Sequence, residues 1–311
     1  MSDIYDDTLL EYFGYSELKP LQKAIIKTVL VEELDVLGIL ATGYGKSICY
    51  QLPFLVLGQT KTVIVVSPLI ALMEDQKASL EKRGIPVICM NSNMTVSVKN
   101  YEKEQLLSGQ NKIVYMTPEY LVTCEDFLIA LWNCDRLAFV AIDESHCVSS
   151  WGSDFRPEYK SLSCLKEWIP DLNIMALTAT ATANVRKDII TTLGMKKYTE
   201  YVSSFDRPNL YIECKTKTSD IKYDLGDLVK EFNNKFCIVY VRTREMTETV
   251  AKTLKLLGID AYAYHAGINS KIRHEIQQNF IAGKCGINGC YCCTSPATTS
   301  ATTSATPEVA A

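Results

Sequence analysis

The chain has 311 residues, 47% hydrophobic and 22% charged, with a formal net charge of −4. This is ordinary globular composition, and at roughly 100–200 residues per domain it allows about two domains. The charge excludes a globally basic protein, so any nucleic acid must be held by local clusters of Lys and Arg.

The opening "MSDIYDDTLLEYF" is acidic and lacks the basic and apolar regions of a secretory signal, and no apolar run is long enough to span a bilayer. The expectation is a soluble, intracellular protein without a membrane partner, nuclear in a eukaryote and cytoplasmic otherwise. Its 12 cysteines are then expected to be mostly reduced and buried. Eight are scattered through the chain, and Cys285, Cys290, Cys292 and Cys293 crowd its end.

Short β-branched runs alternate with amphipathic stretches. The runs at 35–40, 62–67, 85–90, 112–117, 137–143 and 173–178 predict buried strands. "KPLQKAIIKTVLVEE", "LIALMEDQKASLEKRG" and "TANVRKDIITTLG" predict helices. Near-continuous apolar strands separated by helices indicate an α/β fold with a parallel sheet covered on both faces. The pattern pauses around 201–214, then resumes with strands at 236–241 and 260–265 and helices over "TREMTETVAKTLKLLG" and "NSKIRHEIQQNFIAG". This predicts a first domain over 1–203 and a short, incomplete second one over 204–284. Two strands cannot cover a sheet, so an apolar edge should be left exposed. The Ser/Thr/Ala/Pro-rich stretch 285–311 is expected to be disordered.

"ILATGYGKSICYQLP" puts a Gly-rich turn between a strand and a helix. Backbone N–H groups of Thr42, Gly43 and Gly45 can converge there on phosphate oxygens, with the field of the helix N-terminus behind them. Lys46 is placed to reach the β- and γ-phosphates of ATP, and the Ser47 hydroxyl to ligate Mg2+. Leu40 stands where the usual pattern has its first Gly, and the alternative is a chance "GKS" in a loop. The strand–turn–helix setting weighs against chance.

Asp143 and Glu144 end a strand expected one or two positions along the sheet, and ligands of open α/β sheets gather at the carboxyl ends of strands. Asp143 can hold the hydrated Mg2+ while Glu144 orients and deprotonates an attacking water. The other reading of the pair is an acidic helix start favoured by the helix dipole.

Together these residues resemble superfamily 2 helicases, specifically the RecQ DNA helicases. "FGYSELKPLQ" is similar to the family's adenine-reading motif, "ATGYGKS" to motif I, "SPLIALMEDQ" to motif Ia and "MTPEYL" to motif Ib. "DESH" resembles motif II, "WGSDFRPEY" the aromatic-rich loop and "ALTATAT" motif III. "FDRPNLY", "IVYVRTR" and "AYHAG" match the opening of the second lobe, and the wording of "ATGYGKS" and "TPEY" is closest to the Werner-type branch.

The resemblance implies a RecA-like lobe followed by an incomplete second one. It also implies a monomer that couples ATP and Mg2+ to 3′–5′ movement along single-stranded DNA and to opening of a forked duplex. Tyr15 and Lys19 would flank the adenine and Gln22 read its edge, although the family usually has Arg where Lys19 stands. Trp151, Phe155 and Arg156 would sense the strand, and His146 would link the carboxylates towards Thr178 and Thr180. Core packing is the alternative for Trp151 and Phe155, and the Gly, Ser, Asp and Pro around them weigh against it. Ser153 replaces the His usual in that loop, which bears on the strength of coupling.

Weaker candidates are Ser67, Thr117 and Arg207 at motif edges, the pair Arg242 and Arg244, and Tyr264 with His265. Each is as readily a turn, cap or structural residue as a phosphate contact. The tail cysteines lack the paired spacing of a zinc site, so free thiols are expected.

Relatives continue into motifs V and VI, and no "GRAGR"-like run is present in this chain. A truncated product with impaired turnover is the expectation, because the arginine finger of motif VI neutralises transition-state charge. Two functions from different classes follow, an ATP-dependent DNA helicase and a non-hydrolysing nucleotide- and DNA-binding fragment. An RNA translocase is a third, disfavoured by the resemblance of the "WGSDFRPEY" loop.

Overall fold

The computed structural model describes residues 3–91, 94–151, 155–204, 206, 209–218, 220–231, 237–282 and 290–294. The chain divides into two compact units, Met1–Asp206 and Arg207–Ala311.

Seven strands build the first unit: β1 (Asp35–Ile39), β2 (Thr62–Val66), β3 (Val87–Met90), β4 (Ile113–Met116), β5 (Leu137–Ile142), β6 (Ile174–Thr178) and β7 (Tyr198–Val202). They form one sheet in the order β3-β4-β2-β5-β6-β1-β7, with parallel ladders throughout. Every residue of β1, β2, β4 and β6 is buried, which is why these strands read as unbroken apolar runs.

The period of two is still present, divided between two cores. Leu37, Ile39, Ile64 and Val66 join one apolar cluster with the helices Val96–Leu107, Glu125–Asn133 and Ala183–Thr192. Val36, Val63 and Val65 join the other, with Pro20–Leu30, Lys46–Val56 and Ile70–Glu81. The helix Ile4–Phe13 packs outside this layer through Leu9, against Leu18, Ile26 and Leu52.

In the second unit β8 (Cys237–Val241) and β9 (Ala261–Tyr264) flank β10 (Cys290–Thr294) in a parallel sheet of order β8-β10-β9. Leu225, Val250, Ala251 and Leu254 of the helices Ile221–Glu231 and Arg244–Leu256 pack with Ala261 of β9. The helix Ser270–Ile281 follows β9.

Two strands depart from the sequence reading. β7 was not predicted and reaches into the stretch 201–214 only with Tyr201 and Val202; it is an edge strand whose residues alternate between exposed and half-buried, so it carries no continuous apolar signal. β10 corrects the expectation of disorder at 290–294 and of a second sheet without a central strand, while the rest of 285–311 lies outside the described residues. "CYCCT" is five residues of strand-compatible type set in a polar stretch whose average composition hides them. The cysteines also depart in part: Cys49, Cys89, Cys124 and Cys147 are buried, but Cys134 and Cys214 are exposed. No described helix is long and apolar enough to cross a membrane.

Gly38 in the middle of β1 is required by packing. A Cβ there would lie 2.6 Å from Leu177 Cδ2 and 3.1 Å from Ile25 Cδ1, both in the close-packed core. Gly38→Ala should lower unfolding free energy by about 1–3 kcal/mol in a urea titration.

Candidate nucleotide and strand-binding site

Because β1, β6 and β5 are neighbours, their carboxyl ends and the loops that follow lie side by side. β1 leads into the phosphate loop. Its turn is closed by the Tyr44 N–H donating to the Ala41 carbonyl at 3.0 Å, and Gly43 and Gly45 take left-handed backbone angles, φ 79° and 92°. A Cβ on Gly45 would stand 2.6 Å from Gln22 Nε2, so a side chain there would strain the left-handed backbone and push the Gln22 amide from the loop.

The helix Lys46–Val56 begins directly after Gly45. No side chain caps it and no acidic residue sits in its first turn, so its terminal N–H groups and positive field are left for another anion. Lys46 and Ser47 are its first two residues, and Thr42 and Gly43 are exposed ahead of it.

The adenine-motif residues hold this loop. Gln22 Oε1 accepts the Lys19 N–H at 2.9 Å, and its Nε2 donates to the Tyr44 and Gly45 carbonyls at 3.1 and 3.0 Å. Lys19 Nζ donates to the Tyr44 carbonyl at 3.0 Å and lies 4.8 Å from the centre of the Tyr44 ring. Tyr15 is exposed nearby in sequence, before the helix Pro20–Leu30. Tyr44 was missed by sequence reasoning; its signal is an aromatic set between the two loop glycines.

Asp143 follows β5 and is 8% exposed. Its N–H donates to the Val66 carbonyl at 2.9 Å and its Oδ1 accepts the Glu144 N–H at 3.0 Å. Glu144 takes a left-handed conformation, φ 48° and ψ 43°, at a cost of order 1–3 kcal/mol for a residue with a side chain. His146 stands between Glu144 and β6, with Nδ1 3.3 Å from Glu144 Oε2 and 2.8 Å from Thr178 Oγ1. Thr178 Oγ1 in turn accepts the Thr180 N–H at 3.2 Å.

The charges are unequal. Burial and then the neighbouring Glu144 charge push the Asp143 carboxyl up to about 7, against the pull of Lys46. Burial would also raise Glu144, but the His146 hydrogen bond and the Lys46 charge outweigh it and hold that carboxyl below its usual range. Burial works against the His146 cation, yet its contacts with Cys147 and Glu144 push it up to about 10. At neutral pH the site therefore holds an ionised Glu144 beside a protonated His146, with Lys46 near enough to act on both carboxylates.

The loop after this pair presents its rings to solvent. Trp151 is 74% exposed and Phe155 is exposed too, with Lys160 Nζ 5.0 Å from the Phe155 ring centre. Neither packs in the core. The loop is tied at its base: Ser149 Oγ accepts the Trp151 N–H at 3.2 Å and donates to Asp188 Oδ2 at 2.7 Å. Arg156 Nη1 donates to the Pro68 carbonyl at 3.0 Å. Tyr159 is buried, and its hydroxyl donates to the Asp143 carbonyl at 3.0 Å. Ser149, Tyr159 and Asp188 were missed; Tyr159 alone had a signal, as an aromatic three residues beyond Arg156. Ser153 lies outside the described residues.

The weaker candidates separate. Ser67 is buried with its Oγ unpartnered, and Thr117 caps the helix Pro118–Leu121. Arg207 and Cys285 lie outside the described residues, and Arg242 and Arg244 are exposed in the second unit. Tyr264 donates from its hydroxyl to Gln277 Oε1 at 3.4 Å. His265 is buried; its Nδ1 accepts the Gly267 N–H at 3.2 Å and its Nε2 donates to Glu248 Oε1 at 3.1 Å, a structural arrangement. Among the described residues there is no His/Cys/Asp/Glu cluster able to hold a metal ion.

The raised Asp143 has a consequence for stability. The folded chain keeps this proton up to about pH 7, whereas the unfolded chain releases it above about pH 3.9, so stability falls as pH rises between those values. An Asn side chain can still accept the Glu144 N–H. Asp143→Asn should therefore stabilise the ligand-free chain at pH 8 by about 2–4 kcal/mol in urea unfolding, with most of the gain gone near pH 4.

Comparison with known proteins fits this geometry. A family model described as DEAD/DEAH box helicase matches residues 19–188. The chain is 40% identical over 273 residues to the ATP-dependent DNA helicase RecQ of Haemophilus influenzae, covering 88% of this chain and 43% of that protein. It is 39% identical to the putative ATP-dependent RNA helicase R290 of Acanthamoeba polyphaga mimivirus, over 88% of this chain and 49% of that one. To the mouse (Mus musculus) bifunctional 3'-5' exonuclease/ATP-dependent helicase WRN it is 38% identical, over 88% of this chain and 20% of that one. The chain thus spans half or less of the length of these relatives. Among solved structures, DUF1998 helicase MrfA bound to DNA and AMPPNP shares the fold, with TM-score 0.71 at 21% identity over 94% of this chain and 44% of that one. So does S. cerevisiae Dbp5 bound to RNA and ADP BeF3, with TM-score 0.64 at 13% identity over 94% of this chain and 74% of that one. With its parallel sheet of RecA-like helicase type, the chain belongs to the DEAD/DEAH box helicases, an ATP-hydrolysing family.

Proposed function

We propose that the chain is the motor part of a RecQ-type DNA helicase, which uses ATP and Mg2+ to step 3′ to 5′ along single-stranded DNA and open a forked duplex. The observation that carries this reading is the convergence of Lys46, Asp143, Glu144 and His146 at one sheet edge, with a ring-bearing loop hydrogen-bonded to the Asp143 backbone. The named DNA helicases among its relatives support DNA as the strand.

The residues present fit a magnesium nucleotide. The phosphate loop is shaped by left-handed glycines, and the helix behind it leaves its N–H groups uncapped. Ser47 and Asp143 offer hard oxygen donors, and Mg2+ is commonly held by one or two protein oxygens with phosphates and waters completing its shell. When bound, Mg2+ would neutralise charge on the phosphoryl group. Lys46 binds the terminal phosphates, and Glu144, ionised beside His146, accepts a proton at its carboxylate from the attacking water. Trp151 and Phe155 offer faces on which bases of any sequence can stack, and Arg156 anchors the loop that carries them.

The test measures binding of a fluorescent ATP analogue and phosphate release, each with and without single-stranded DNA or RNA. Lys46→Ala should reduce turnover by at least about 10²-fold. Trp151→Ala should weaken single-stranded DNA binding by roughly 5- to 100-fold while leaving nucleotide affinity unchanged. Bound nucleotide without DNA-stimulated release would replace the motor with a non-hydrolysing binding module. Equal stimulation by RNA would overturn the DNA assignment.

A further inference from the structure

Strand β1 gives its last N–H groups to its two neighbours in turn. The Leu40 N–H donates to the Thr178 carbonyl on the β6 side at 2.9 Å. The next one, from Ala41, falls on the β7 side, where β7 ends at Val202. Ser203 Oγ accepts it at 2.9 Å, and the Ser203 N–H donates back to the Ile39 carbonyl at 2.8 Å. A side-chain hydroxyl thus extends the ladder by one step beyond the last strand residue. A main-chain carbonyl in that role would have required β7 to continue; the hydroxyl lets the chain turn away.

The bond joins two functional segments. Ala41 opens the phosphate loop, and its carbonyl closes the turn that carries Thr42 and Gly43 by accepting the Tyr44 N–H. Ser203 is buried, and next to it Ser204 Oγ accepts the N–H of Asp206, the residue at which the first unit ends. Ser203 is thus the point at which the chain leaving β7 is hydrogen-bonded to the base of the phosphate loop.

We propose that Ser203 is a positioning residue for the nucleotide, and that its hydroxyl couples the phosphate loop to the segment leading out of the first unit. This rests on the nucleotide reading above. Linkage makes the effect reciprocal: nucleotide that selects the ordered loop holds Ser203 in place, and movement of the outgoing segment loosens the nucleotide. An apolar residue at this position leaves the Ala41 N–H without its partner, whereas Thr supplies the same hydroxyl.

The experiment uses the full chain as wild type, Ser203→Ala, Ser203→Thr and Ser204→Ala. It reads the affinity for a fluorescent ATP analogue with Mg2+, amide hydrogen exchange and the melting temperature without ligand. In Ser203→Ala, exchange at residues 41–44 should quicken while β1 stays protected, and nucleotide affinity should fall roughly three- to tenfold. Ser203→Thr should restore both, and Ser204→Ala should match wild type. Unchanged exchange and affinity in a folded Ser203→Ala chain would overturn the proposal, as would a folded Thr variant that behaves like Ala. If wild type does not bind the analogue, the nucleotide reading fails; faster exchange in Ser203→Ala would still support the tie between Ser203 and the loop.

Discussion

In a parallel sheet every strand ends on the same edge, and the order β5-β6-β1 makes that edge a site. The three strands contribute one element each: the phosphate loop after β1, Thr178 at the end of β6, and Asp143 with Glu144 after β5. Ile39 lies level with Thr178, and the Leu40 N–H reaches the Thr178 carbonyl, so the loop and the threonine share a fixed height. His146 then spans from Thr178 to Glu144 by side-chain contacts alone. The three strand ends are far apart in sequence. The ladder register, held by strands that are buried on both faces, brings them together.

This placement works against stability at one point. Asp143 is held in surroundings that favour its neutral form, beside a like charge, and Glu144 occupies a backbone region that residues with side chains avoid. Apolar or uncharged groups at both positions would suit a sheet edge better. The compensation comes from Lys46 and His146, whose charges favour the ionised form of both carboxyls.

Much of this was legible in the sequence because the first unit is covered on both faces. β1, β2, β4 and β6 could be placed within a residue or two, since full burial leaves no polar interruption to blur their ends. β7 was not legible because an edge strand has one free side, and its residues "YTEYV" are those of a half-exposed surface. β10 was hidden for a different reason: a strand of five residues supplies too little signal against a long Ser/Thr/Ala background. Within the candidate site, spacing marked the charged residues, but the residues that hydrogen-bond the backbone around them carried no such mark. Ser203 and Tyr159 act through single hydrogen bonds to backbone atoms of residues 162 and 16 positions away. A backbone partner leaves no mark on the sequence at its own position.

The distribution of those supports bears on how the exposed rings could influence the carboxylates. Trp151 itself is free to solvent, so a base stacking on it would meet little resistance. The base of its loop is not free: Ser149 is held to Asp188, Arg156 to the Pro68 carbonyl, and Tyr159 to the Asp143 carbonyl. These three hydrogen bonds tie residues on either side of the rings to the rest of the first unit. Of the three, only the Tyr159 bond ends on the residue whose next peptide sets the left-handed turn at Glu144. Rotation of that peptide by a small angle would redirect the Glu144 carboxylate relative to His146. From Phe155 to the Asp143 carbonyl the connection is one short helix and one hydrogen bond long.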